Sequence, residues 1–127
     1  MTIVYVIDGA QVTTLEDFWR VIGAAVNGPD GYFGGNLDAL NDCLHGGFGT
    51  PEDGDFVFEW RNHEASRRDL GYPETVRQLE RRLARCHPTN RPRVALELAA
   101  ARLGTGPTVF DWLVEIIGTE HGKLRLA

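Results

Sequence analysis

The chain opens on an unbroken run of β-branched and aromatic residues, Ile3-Val4-Tyr5-Val6-Ile7, that stops at Asp8-Gly9. Apolarity that runs on rather than alternates predicts a strand covered on both faces, as in a parallel sheet. The period then changes. Leu15, Phe18, Trp19, Ile22, Ala25 and Val26 recur at three- and four-residue steps, which predicts a helix with one apolar face. Thr13 or Thr14 caps it, Glu16 or Asp17 fills its first turn, and Asn27-Gly28-Pro29-Asp30-Gly31 ends it. Asn36 is a good cap for a second helix that turns Leu37, Leu40 and Leu44 to the core. Gly46-Gly47 and the stretch 49–54 form its exit loop, and Phe56-Val57-Phe58 with Trp60 makes a second strand.

Pro73 suits the first turn of a helix whose stripe is Val76, Leu79, Leu83 and Cys86, broken by His87-Pro88-Thr89-Asn90-Arg91-Pro92. Residues 93–103 carry both patterns: Val94, Leu96 and Leu98 alternate, whereas Ala95 and Ala99-Ala100-Ala101 favour helix. We read the segment as helix. Thr108 caps a last helix bearing Val109, Trp112, Leu113 and Ile116 or Ile117, and Lys123-Leu124-Arg125-Leu126 ends the chain as a short alternating strand. Strands separated by helices need crossover connections. The expectation is a small α/β domain, a three-stranded, mainly parallel sheet with helices packed on it.

Composition narrows this. At 127 residues and 43% hydrophobic, the chain suits one domain with a core that needs no staples. Two cysteines make no disulfide framework, there is no long apolar run, and Met1 leads straight into the strand without a basic segment. A reducing, cytoplasmic setting and no membrane association are expected.

The formal charge of −5 hides a segregation. Residues 1–60 hold Arg20 alone against Asp8, Glu16, Asp17, Asp30, Asp38, Asp42, Glu52, Asp53, Asp55 and Glu59, a balance of −9. Residues 61–105 hold ten arginines against five acids, +5, and the rest is −1. The acidic half repels nucleic acid and favours a cationic partner. The arginines at 67, 68, 77, 81, 82 and 85 are interrupted by Glu64, Glu74 and Glu80 and lack interleaved aromatics. They predict an ion-paired helical face and no nucleic-acid site.

The candidate chemistry lies in 36–46. On a helix Leu37, Leu40, Cys43 and Leu44 share one side, while Asp38, Asn41, Asp42 and His45 share a sector of about 100° on the other. Asp38 and Asp42 are a like-charge pair one turn apart, which destabilises a helix by a few tenths of a kcal/mol. Such a face is either ordinary solvated surface or one that something outside the chain uses. Asp38, Asp42 and His45 could reach one metal ion, but no fourth ligand is evident, and acid–base work needs a concave, desolvated site. His63, His87 and His121 read as surface or capping residues, Cys43 as half-core, Cys86 as core or helix end. No Walker, dinucleotide or nucleophile-elbow spacing occurs. Neither metal nor cofactor nor catalytic residue is expected.

The stretch Tyr32-Phe33-Gly34-Gly35-Asn36-Leu37-Asp38-Ala39-Leu40-Asn41-Asp42-Cys43-Leu44 resembles the signature of the barstar family, intracellular inhibitors of secreted guanyl-specific ribonucleases. Phe56-Val57-Phe58-Glu59-Trp60-Arg61 resembles that family's second strand, and the resemblance extends over 1–61 and 107–127. It implies one barstar-like domain over 1–127 with an extra helical insertion at about 62–106. It further implies a non-catalytic protein that plugs a ribonuclease active site with its second helix and the preceding loop, one inhibitor to one enzyme. Tyr32, Asn36, Asp38, Asp42 and Gly46 match positions lining that surface. Asp42 matches the aspartate that stands for the substrate phosphate, and Glu115 is the best match for a glutamate contact on the last long helix. Asn41 stands where the family can carry a tryptophan, and His45 and Gly47 stand where its best-known member has a threonine and a tryptophan. Aromatic anchors are thereby lost. The alternative is a non-inhibitory interaction or regulatory module on the same fold.

Overall fold

The computed structural model describes all residues, 1–127. Strand β1 (Ile3–Asp8) leads to helix α1 (Leu15–Asn27) and helix α2 (Leu37–His45), then to strand β2 (Phe56–Arg61). Helices α3 (His63–Asp69), α4 (Tyr72–Arg85), α5 (Arg91–Arg102) and α6 (Val109–Val114) follow. The last continues as a wider π-helical stretch, Glu115–Glu120, before strand β3 (Leu124–Leu126). The three strands are parallel in the order β1-β2-β3, with Tyr5 opposite Phe58 and Phe58 opposite Leu124.

Local chemistry sets the boundaries. Of the two candidate threonines it is Thr14 that caps α1, in a reciprocal box with Asp17, and Thr108 with Asp111 does the same for α6. The Asn36 side chain accepts from the Ala39 N–H at 2.8 Å and starts α2. The alanine-rich 91–102 segment is helix, with Val94, Leu98 and Ala101 inward.

β1 corrects the expectation of a strand covered twice. Only Ile7 is fully buried in it, while Val4 and Val6 are exposed. The strand order explains this: successive right-handed crossovers along β1-β2-β3 bring every helix to the same face. Phe56, Phe58 and Trp60 therefore meet the helices. The opposite face carries Val4, Val6, Val57 and Glu59, the last paired to Arg61 and Arg125. Helix α3 and the π stretch follow no period that the sequence displayed, and Cys43 is fully buried rather than half-core.

Two apolar clusters exist. The larger joins the sheet to α1, α2 and α6 around Phe18, Phe33, Phe58, Trp60 and Phe110. The smaller holds Leu79, Val94, Leu98 and Ala101 inside the α4–α5 hairpin. Trp60 Nε1–H donates to Ser66 Oγ, whose hydroxyl donates to the Gly9 carbonyl, both at 3.0 Å, so the buried indole has its partner. Buried Glu74 of α4 accepts from the Leu15 N–H at 2.8 Å and so caps α1 from the hairpin.

Candidate protein-binding face

Helix α2 lies between the sheet core and solvent. Leu40, Cys43 and Leu44 are buried, while Asp38, Asp42 and His45 are exposed. Most other acids of the first sixty residues are occupied. Asp8 accepts from Asn62 and the Ala10 N–H, Glu16 from Arg77 and Gln78, Asp17 from Thr13, and Asp55 from Thr2. Asp53 accepts from the Asp55 N–H, and Glu59 pairs with Arg61. Asp30, Asp38, Asp42 and Glu52 have no ion pair or side-chain hydrogen bond, and the first three lie in α2 or just before it. The −9 of the sequence thus resolves into internal pairs plus free carboxylates concentrated at one face.

The arginines of 67–85 are consumed as expected, except Arg85, which is exposed and unpaired. Arg77 holds Glu74 and Glu16, Arg81 reaches Glu16 at 3.4 Å, Arg67 pairs with Glu64, and Arg82 lies over the Trp112 ring.

The π stretch runs beside α2. At one end Glu115, exposed and unpaired, shares a groove of about 620 Å³ with Leu37, Trp112 and Ala100. At the other, His121 Nε2–H donates to Asn41 Oδ1 at 2.7 Å, and the His45 and His121 rings lie 4.8 Å apart. Burial pushes the His121 imidazole below its ordinary pKa, and the neighbouring His45 adds to the effect. His121 is therefore no surface histidine: it is half-buried and ties Asn41 down. His87 does cap a turn, accepting from the Thr89 N–H. Burial raises the Cys43 thiol, with the Asp42 charge acting in the same direction, so a reactive thiolate is disfavoured here.

Each residue singled out from the sequence has a definite place. Tyr32 stands exposed in the loop before α2, and Asn36 spends its side chain on the cap. Gly46 ends the helix at φ 123°, a conformation that favours glycine. Asp38, Asp42 and His45 face solvent, and Asn41 bridges to His121. No group of three or more His, Cys, Asp or Glu side chains is arranged to hold a metal ion. Three residues around this face escaped the sequence reading: His121, which holds Asn41, Phe48, which packs on Tyr32, and Asn27, which donates to the Tyr32 and Phe48 carbonyls. Phe48 had a faint signal, a lone aromatic among glycines; Asn27 had none.

With this geometry in place, comparison with known proteins is decisive. The family model described as "Barstar (barnase inhibitor)" matches residues 2–98. The chain belongs to the barstar family. No solved structure matches it. Barstar-family proteins are inhibitors, which agrees with an exposed acidic face backed by a packed core. The match runs through α3, α4 and most of α5, where the sequence suggested an insertion, and ends before the closing helix and strand. No helix is long and apolar enough to cross a membrane.

Proposed function

We propose that this barstar-family protein inhibits a secreted guanyl-specific ribonuclease by seating α2 and the loop before it in the enzyme's active site, one inhibitor per enzyme. The observation that carries the reading is the pair of exposed, unpartnered carboxylates, Asp38 and Asp42, one turn apart on a helix anchored on its other side by buried Leu40, Cys43 and Leu44. An active site that binds RNA phosphate gathers Arg, Lys and His. A carboxylate held rigidly on a helix offers such groups charge-assisted bonds without first folding. Asp42 takes the place of the phosphate. Glu115 on the adjoining π stretch extends the same acidic rim, and the concentrated negative field speeds encounter with a cationic enzyme, an effect for which barnase–barstar is a reference system. The setting is the cytoplasm, where the enzyme would otherwise attack the cell's own RNA.

The same reading takes 1–127 as one domain with a helical insertion at about 62–106, of which the α4–α5 hairpin is the main part. Three features support it. The hairpin has its own small cluster, the Phe110 N–H bonds back to the Leu70 carbonyl across its base at 3.3 Å, and Thr75 Oγ1 accepts from the Val109 N–H at 2.9 Å.

Inhibition of RNA cleavage by a panel of guanyl-specific ribonucleases, barnase included, tests the proposal. Asp42→Ala is expected to weaken inhibition most, and added salt to slow association more than dissociation. Folded protein that inhibits none of them defeats it. A second reading, a non-inhibitory interaction module, is favoured by Leu96 on α5 and Leu103 just past its end, 73% and 81% exposed. A partner captured by the hairpin and indifferent to Asp38→Ala/Asp42→Ala would establish that instead.

A further inference from the structure

Phe48 belongs to neither apolar cluster. Its ring is 41% exposed and packs on Tyr32, itself 53% exposed, with centroids 6.3 Å apart at 59°. Two exposed aromatics in contact, outside the core, form an apolar patch that folding does not require. The patch is also held in place. Asn27, the last residue of α1, donates both Nδ2 hydrogens, one to the Tyr32 carbonyl at 2.7 Å and one to the Phe48 carbonyl at 2.8 Å. One amide thus staples the loop entering α2 to the loop leaving it. The exit loop accommodates this only as glycine: Gly49 has φ 112°, and a Cβ there would meet Asn27 Oδ1 at 2.2 Å.

Helix α2 itself carries no aromatic residue on its exposed side. The patch lies beside it, and Asp30, Asp38 and Asp42 are the unpaired charges of the same region. An aromatic pair on the two loops that flank a helix bearing free carboxylates complements a surface that presents guanidinium or imidazolium groups, which are attracted both to ring faces and to anions.

We infer that the Phe48–Tyr32 pair is the aromatic anchor of the enzyme-binding face, with the cationic rim of the ribonuclease active site as its occupant and Asn27 as the residue that positions it. The inference rests on the ribonuclease-inhibitor reading and goes beyond it by assigning Phe48 and Asn27 roles. Central aromatic anchors act mainly after encounter, so their loss raises dissociation rates, whereas rim charges govern association.

The test is surface plasmon resonance against barnase, or against whichever ribonuclease of the panel is inhibited. Phe48→Ala is expected to raise the dissociation rate about tenfold or more, a typical anchor effect. Association rate, its salt dependence and the melting temperature stay unchanged, and Phe48→Trp retains binding. Asn27→Ala is expected to raise dissociation in the wild-type background and to add little to Phe48→Ala, the signature of action through that residue. A change below about threefold for Phe48→Ala, with Asp42→Ala still disrupting the complex, overturns this inference and leaves the inhibitor reading standing. Absence of binding to any enzyme of the panel, or an inert Asp42→Ala, brings down that reading and this inference with it.

Discussion

Replacing Glu74 by alanine removes the hairpin side chain that caps the start of α1 by accepting from its first backbone N–H. Glu74 is 6% exposed, and its Oε2 accepts from the Leu15 N–H at 2.8 Å, Arg77 Nη2 at 2.8 Å and Gln78 Nε2 at 3.0 Å, while Oε1 accepts from Arg77 Nε at 2.6 Å. The variant strands a buried N–H, which costs about 1–3 kcal/mol. Arg77 contributes less, because it is 41% exposed on its side chain and keeps Glu16. With the lost packing, the expected deficit is about 2–4 kcal/mol by urea unfolding, equivalent to roughly 6–15 °C in Tm for a domain of this size. Glu74→Gln, which preserves an acceptor for Leu15, loses about 1 kcal/mol. Acid supplies a second readout. Burial pushes the Glu74 carboxyl up, but the bonds from Arg77, Leu15 and Gln78 outweigh it and hold the group below its ordinary 4.5. A depressed folded-state value means that the contribution is present above 4.5 and lost as pH falls through the folded value. The gap between wild type and Glu74→Ala therefore closes in acid. A neutral-pH deficit under about 1 kcal/mol, or a gap that persists far below 4.5, refutes the assignment.

Other expectations are independent of this one. Ser66→Ala leaves the Trp60 indole N–H and the Gly9 carbonyl without their buried partner, and is expected to destabilise by about 2 kcal/mol in chemical denaturation; a neutral result would mean that water replaces the hydroxyl. His121 titrates below 6.5 in the folded state, so the unfolded chain binds its proton first and stability rises with pH through that window. In His121→Gln, thermal melts across the same range are expected to flatten, while the bond to Asn41 is kept by the amide. Gly49→Ala forces a Cβ onto Asn27 at a positive φ and is expected to lose about 1–2 kcal/mol, with the amide signals of Tyr32 and Phe48 shifting together in NMR spectra. Unchanged Tyr32 signals would show that the two loops are not coupled through Asn27.

The local rules in the sequence determined most of what is local in the structure. Thr14, Asn36 and Thr108 cap their helices because a side-chain oxygen two or three residues ahead of an orphan N–H needs no tertiary help. The α/β class, the helical 91–102 segment and the separation of α2 into a buried leucine side and an acidic side follow from periodicity for the same reason. Family membership was also legible, because the 32–44 stretch is a run of consecutive residues. Tertiary structure decided everything that depends on distant partners. Which faces of β1 are covered rests on strand order, since the same five residues would be buried twice between helices on both sides. Which carboxylates are free depends on where Arg77, Arg81 and Arg125 arrive; Glu16 and Asp38 look alike in the sequence, yet one is paired and the other bare. His121 reaches Asn41 and Asn27 joins two loops by hydrogen bonds, and these form between residues whose separation along the chain carries no information about their separation in space. Charge could be counted from the sequence, but only the fold decided which carboxylates have partners and left Asp38 and Asp42 bare on a single exposed turn.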